Sequence, residues 1–281
     1  MKAFWLMRSA AGTFADNKIV AAPLYLLLFF YLAALEVLYF IPFAPLRKHL
    51  GPVVQRLFGD LFLHYPHHLL LLPKLFQYAQ LAVYLFFGSL LIPVSIALID
   101  QVYHQRPASL RKAFGRAVRA YPQVLLLLTL MMTVMLWKMG LLDLLVQRAA
   151  RIRSAAGPFK LLKDVMLFGA PYINLLLDIV IQTFFAAAIP AVVTGAGRIA
   201  DALRMNFRLV KQYRATVFGL IFVPSLLHVP LHLLRATAVF TDTLPETTVI
   251  LLAAGACVNV FVEGMVYAGL TILCLTPKEG A

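Results

Sequence analysis

The sequence predicts an all-α polytopic membrane protein of about six transmembrane helices, joined by interfacial amphipathic helices. Hydrophobic residues make up 62% of the 281 and charged residues 13%, against about 25% charged in soluble domains. The apolar residues are gathered into six blocks, each long enough to cross a bilayer, for which roughly 18 or more are needed. A membrane β-barrel would instead show ~10-residue alternating segments. A basic amphipathic segment also recurs ahead of alternate blocks. The chain therefore reads as a single integral membrane domain over 1–281 with a threefold internal repeat, in units of about 1–100, 101–195 and 196–281.

The clearest copy of the repeated segment is SLRKAFGRAVRAYPQVLLLL, residues 109–128. Leu110, Ala113, Phe114, Ala117, Val118 and Tyr121 share one helical face, and Arg111, Lys112, Arg116 and Arg119 occupy the other. Such a helix is expected to lie along a membrane surface with its cations on anionic headgroups. Ninety-two residues later DALRMNFRLVKQYRATVFGL repeats the device, with Arg204, Arg208 and Lys211 for Lys112, Arg116 and Arg119, and Tyr213 for Tyr121. Residues 1–18 form a weaker first copy, in which Arg8 matches Lys112.

Span one is predicted over 19–41, stopped by Pro42 and Pro45. Residues 43–74 form the longest connection, with one or two interfacial helices. Span two covers about 75–99 and contains Pro93; span three covers about 122–142. A basic interfacial segment is expected over 147–163, and span four over about 171–193. Span five covers about 215–234 and span six about 247–275, with the acidic connection TDTLPETT between them. The first apolar block starts after Lys18 without a clear cleavage site, so it reads as an anchor rather than a signal peptide.

The net charge of +13 belongs to short inter-span segments, where membrane topology and lipid phosphates account for it. A nucleic-acid-binding protein would need an extended soluble basic surface, and none is present. Lys and Arg number 14 on the amino-terminal side and 10 on the other, which favours an inner (cytoplasmic) membrane with both termini in the cytoplasm. Cys257 and Cys274 share the last span, ~25 Å apart on a straight helix, too far to pair.

These motifs, with the terminal FWLMRSAAGTFADNKIVAAPL, resemble a diffuse group of bacterial six-span proteins. That group includes the membrane domain attached to some glycerophosphodiester phosphodiesterases. The resemblance implies a helical membrane domain. It implies no phosphodiesterase activity, because no soluble stretch is long enough for that domain, and it transfers no functional residue.

Polar residues inside the spans are the candidate site, since they are costly in lipid and tend to face a bundle interior. Asn174, Asp178 and Gln182 form one stripe on span four, and Asn259, Glu263 and Tyr267 form another on span six. Span five carries His228 and His232, with Arg235 beyond; span one adds Glu36 and span three adds Lys138. With the termini inside, most of these fall in the outer half, as an outward-facing polar cavity would require. Three carboxylates against one lysine would favour protons or cationic and amine-bearing solutes. The competing structural account is snorkelling by Glu36, Lys138 and Arg235 and interhelical hydrogen bonding by the amides.

No metal site is expected: His228 and His232 lack a third ligand, and His64, His67 and His68 merely crowd one loop. TGAGRIAD (194–201) imitates a dinucleotide fingerprint without the strand it needs, so no cofactor is expected and Gly195 and Gly197 read as a turn. No catalytic signature is present, and catalytic residues are not assigned. The sequence reading is a permease or carrier for a small solute or lipid-like molecule. A membrane scaffold that uses its basic helices to dock lipids or a protein partner is the alternative, and an intramembrane enzyme using Asp178 and Glu263 comes third.

Overall fold

A computed structural model describes residues 2–65, 67–150, 158–185, 187–196, 198–236 and 246–276. The TDTLP segment, residues 151–157 of the basic 147–163 segment, Gly197 and the Arg235 side chain lie outside that description. Among the described residues the chain is helical and has no strand. Six helices are long and apolar enough to cross a membrane, so this is a multi-pass membrane protein with its termini on one side.

The helices are α1 (Lys2–Asp16), α2 (Lys18–Phe40), α3 (Leu46–Phe58), α4 (His68–Val83), α5 (Ser89–Tyr103), α6 (Leu110–Ala150), α7 (Pro158–Phe185), α8 (Ala188–Ala191), α9 (Ile199–Ser225), α10 (His228–Ala236) and α11 (Thr247–Leu275). α4 and α5 form one span, joined by a π-helical turn at Tyr84–Gly88. The packing centres on α5. Every residue from Leu91 to Asp100 is buried, which is the mark of a helix apolar all round and enclosed by others. α2, α6 and α11 pack directly on it, and α7 and α9 continue the wall from α6 to α11. The Ser95 hydroxyl donates to the Val20 carbonyl at 2.9 Å and ties α5 to α2.

The three amphipathic segments join their spans in three ways. α1 is a separate helix, broken from α2 at Asn17 (φ −129°, ψ 79°). The second copy is not a separate surface helix as expected. α6 runs unbroken for 41 residues through Pro122, because Ala113, Ala117 and Ala120 are buried in the bundle and hold the segment in line. Its larger apolar residues Leu110, Phe114 and Val118 stay exposed. At ~1.5 Å per residue such a helix outruns the ~30 Å hydrocarbon core. The third copy is bent from its span within α9 at Tyr213 (φ −123°, ψ 31°).

Other boundaries shift for local reasons. The helix that carries span four starts earlier, at Pro158, and Pro171 lies inside it, while the stretch apolar enough to cross a membrane, Gly169–Gly195, agrees with the predicted 171–193. Span five is interrupted after Ser225 and resumes at His228; Pro230 then falls in the first turn of α10, where a missing N–H is tolerated. Gly195 adopts φ 152° in the turn before α9, which is open to glycine and strained for other residues. Asn206 of α9 donates to the Phe184 carbonyl, supplying a donor to the last turn of α7.

Alternation of the spans puts the 43–67 connection and Glu246 on the same side, away from the termini, and a contact joins them. The Tyr65 hydroxyl donates to Glu246 Oε1 at 2.6 Å. That bond lowers the Glu246 pKa and raises the Tyr65 pKa from their ordinary values.

α11 meets α9 closely at Gly269, where an added Cβ would lie 2.8 Å from Leu220 Cδ2. Gly269→Leu is expected to destabilise the protein by about 1–3 kcal/mol through overpacking. Gly140→Leu on α6, where an added Cβ meets no heavy atom within 4 Å, should not. Thermal unfolding of the two variants in detergent checks the contrast.

Candidate functional site: a polar cavity in the half of the bundle away from the termini

Around α5 the packing is close, with every residue from Leu91 to Asp100 buried; around α4 it opens. There a cavity of about 670 Å³ is enclosed by α2, α4, α6, α7, α10 and α11. It reaches the surface beside Lys74 and Gln77, both exposed. Its volume falls in the range of small-molecule sites, ~300–1,000 Å³.

Eight of the eleven polar residues singled out in the sequence line this cavity: Asn174, Asp178 and Gln182 from α7, His228 and His232 from α10, and Asn259, Glu263 and Tyr267 from α11. The helical spacing explains the grouping, since each set recurs at i, i+4 on one face. Lys138 of α6 joins them by bonding. Its Nζ donates to Asn174 Oδ1 at 2.5 Å and to Asp178 Oδ1 at 2.7 Å, while Asn174 Nδ2 donates to Asp178 Oδ2 at 3.3 Å. The side chain of Lys138 is only 9% exposed and that of Asp178 28%, so Lys138 does not snorkel to the surface.

Glu36 is the exception. The buried face of α2 runs through Leu24, Leu27, Tyr31 and Leu35, and Glu36, ~100° further round the helix, is exposed and lines no part of the cavity. The expected excess of three carboxylates over one lysine is thereby corrected. Asp178 is matched by Lys138, and Glu263 is the carboxylate that remains.

Glu263 sits at the inner end of the cavity. Asn259 Nδ2 donates to its Oε1 at 3.1 Å, whereas Oε2 is buried and accepts no hydrogen bond among the described residues. Close by, the Tyr84 and Tyr267 hydroxyls meet at 3.0 Å, and Tyr31 lines the same wall. Tyr84 is aimed there by the π-helical turn, a feature frequent at functional sites. An added Cβ at Gly88 would stand 3.0 Å from Tyr84 Cδ2, so the ring's position depends on that glycine. His228 Nδ1 lies 3.2 Å from the Ser225 carbonyl, and the His232 ring stands edge-on to Tyr172 with centroids 6.4 Å apart.

The apolar wall was not singled out in the sequence. Met131, Met132, Met135 and Met139 of α6 line the cavity, and Gln77 Nε2 approaches Met139 Sδ at 3.5 Å. Methionine thioethers are adaptable and polarisable, a property used at surfaces that accept varied ligands. The signal was present as MMTVMLWKM, but inside a span it reads as ordinary hydrophobicity.

Among the described residues no group of three or more His, Cys, Asp or Glu side chains is arranged to hold a metal. His68 is buried among the rings of Tyr39, Phe43 and Tyr65. Of the cations expected on headgroups, Arg111, Lys112, Arg119, Arg204, Arg208 and Lys211 are exposed. Arg116 is exposed as well, and it pairs with Asp100 at the end of α5, whose carboxylate also faces His104 at 3.2 Å.

Comparison with known proteins gives no match to a family model, a curated protein or a solved structure. Function is therefore read from the chemistry of the cavity itself.

Lys138→Met should destabilise the protein by roughly 3 kcal/mol, because it strands the Asp178 charge in a low-dielectric wall. The double variant Lys138→Met/Asp178→Leu should recover most of that loss. Melting temperatures of both variants in detergent check this.

Proposed function

We propose that the protein is a carrier for a small solute bearing an amine or another hydrogen-bond donor. The observation that carries this reading is Glu263 Oε2, buried at the inner end of an accessible cavity and accepting no hydrogen bond among the described residues. An acceptor left in that state costs free energy, and a donor on a bound solute would remove the cost. The charge balance agrees, since Lys138 already neutralises Asp178 and Glu263 has only the neutral Asn259 at its side. The methionine wall suits an apolar remainder of variable shape. In this proposal the membrane is the inner one, the termini are cytoplasmic and the cavity faces outward, in keeping with the 14-to-10 distribution of Lys and Arg.

A scaffold has no use for an acceptor held without a donor in the middle of a span, and an enzyme would need a nucleophile or metal beside it. The Tyr84–Tyr267 pair and the solid packing around α5 close the far side of the cavity, as a carrier in one of its two access states requires.

Single cysteines at Gln182 and Asn259, in a protein with Cys257 and Cys274 replaced by serine, test accessibility without disturbing the Lys138–Asp178 pair. A membrane-impermeant thiol reagent added outside the cell is expected to label both, and a panel of small amines should slow labelling in a Glu263-dependent way. Glu263→Gln should abolish that protection while membrane insertion is unchanged. Failure to label either position in an inserted, folded protein would overturn the proposal and turn attention to the basic helices.

A further inference from the structure

A second concavity lies on the side of the termini. The bend at Tyr213 lets the first half of α9 lie beside α1 and the end of α11, and the three enclose a groove of about 920 Å³. Its two faces differ in chemistry. Arg204, Arg208 and Lys211 project along one edge, all exposed. Leu6, Leu209 and Leu273, all buried, form its apolar floor, and the half-exposed Trp5 stands at its rim. Asp201 is the one carboxylate among the lining residues, and it reaches Arg204 only at 3.8 Å.

The equivalent helix in α6 shows what this edge lacks. There Arg116 is neutralised by Asp100. Arg208 is its counterpart 92 residues on, and the same offset from Asp100 falls on Val192; aligning Pro93 with Pro190 instead gives Gly197. No carboxylate stands in the third copy where the second one has its internal anion. Among the described residues neither Arg208 nor Lys211 makes an ion pair.

We propose that the groove binds one anionic phospholipid. Its phosphate takes the place that Asp100 fills in the other copy, held by Arg204, Arg208 and Lys211, and an acyl chain lies along Leu6, Leu209 and Leu273. Three cations side by side present concentrated positive charge to one phosphate, and basic pockets between membrane helices are suited to anionic headgroups. The apolar floor, at the end of a membrane-spanning helix, selects a lipid over a soluble phosphate compound. This site is separate from the polar cavity and does not depend on the carrier reading.

The protein contains two tryptophans, so Trp137→Phe leaves Trp5 as the reporter at the groove. The protein is reconstituted in phosphatidylcholine vesicles containing a minor fraction of brominated phosphatidylglycerol or, separately, brominated phosphatidylcholine. Quenching of Trp5 is expected to show a preference of about tenfold or more for the anionic lipid. Arg204→Gln/Arg208→Gln/Lys211→Gln should abolish it. Arg111→Gln/Lys112→Gln/Arg119→Gln, which removes the same charge from the other basic segment, should preserve it. Arg204→Lys/Arg208→Lys should keep most of the preference, separating loss of the anion site from loss of the fold. Equal quenching by the two lipids, equal loss in both triple variants, or loss in the lysine variant would overturn the proposal. Relief of quenching by glycerol phosphate in the buffer would assign the groove to a soluble phosphate ligand and would equally overturn it.

Discussion

The burial of α5 on every side is the constraint on which the rest of the bundle depends. A helix with ten consecutive buried residues needs neighbours around its whole circumference, and α2, α6 and α11 supply them. Its small and branched residues, from Val94 through Ile99, permit close approach of those neighbours, as membrane helices without a hydrophobic driving force between them require. Asp100 then ends the buried stretch with a carboxylate that must be paired, and Arg116, one turn-around later, is in reach. That pair joins α5 to α6 at the same end at which the alanines of α6 are buried. The continuity of α6 through Pro122 follows from this clamp rather than from helix propensity.

The other half of the same span has the opposite character. Beyond the π-helical turn, α4 alternates buried leucines with exposed Lys74, Gln77 and Tyr78, and cannot fill the space that α5 fills below. The cavity is the consequence. Its polar groups are then disposed in two sets with different energetic standing. Lys138, Asn174 and Asp178 satisfy one another and make a closed, neutral wall. Glu263 has one oxygen satisfied by Asn259 and one that is not. Interhelical polar contacts in membranes are worth roughly 0.6 kcal/mol on average, so packing alone is a weak reason to hold an acceptor half-satisfied at the middle of a span.

Much of the architecture was legible in the sequence because the relevant signals are local. Span six, predicted over 247–275, coincides with α11, and span one is displaced by a single residue at each end. The i, i+4 stripes Asn174–Asp178 and Asn259–Glu263 were legible for the same reason, since helical periodicity fixes which residues share a face. What was not legible depends on contacts between helices. Glu36 and Lys138 have similar sequence surroundings, yet one is exposed and the other is buried in an ion pair, a difference set by the azimuth of each helix in the bundle. The partnership of Asp100 with Arg116 and the convergence of Tyr84 with Tyr267 span 16 and 183 residues. No periodicity reports either. Proline was the least reliable guide: Pro122 and Pro171 lie within continuous helices, whereas the bend in α9 falls at a tyrosine.

The repeated basic segments show how one sequence device yields different parts. In the second copy the internal carboxylate and the buried alanines hold the segment as an extension of its span. In the third, Ala202 and Asn206 are buried, but no carboxylate stands where Asp100 would, and the segment bends away and leaves its cations on an open groove. Arg116, neutralised within the chain, ties α6 to α5. In the basic row on the groove, Arg204 has Asp201 at 3.8 Å, whereas Arg208 and Lys211 make no ion pair among the described residues. The same cationic pattern is therefore tied to a carboxylate of the preceding span in one copy and lines an open groove in the other.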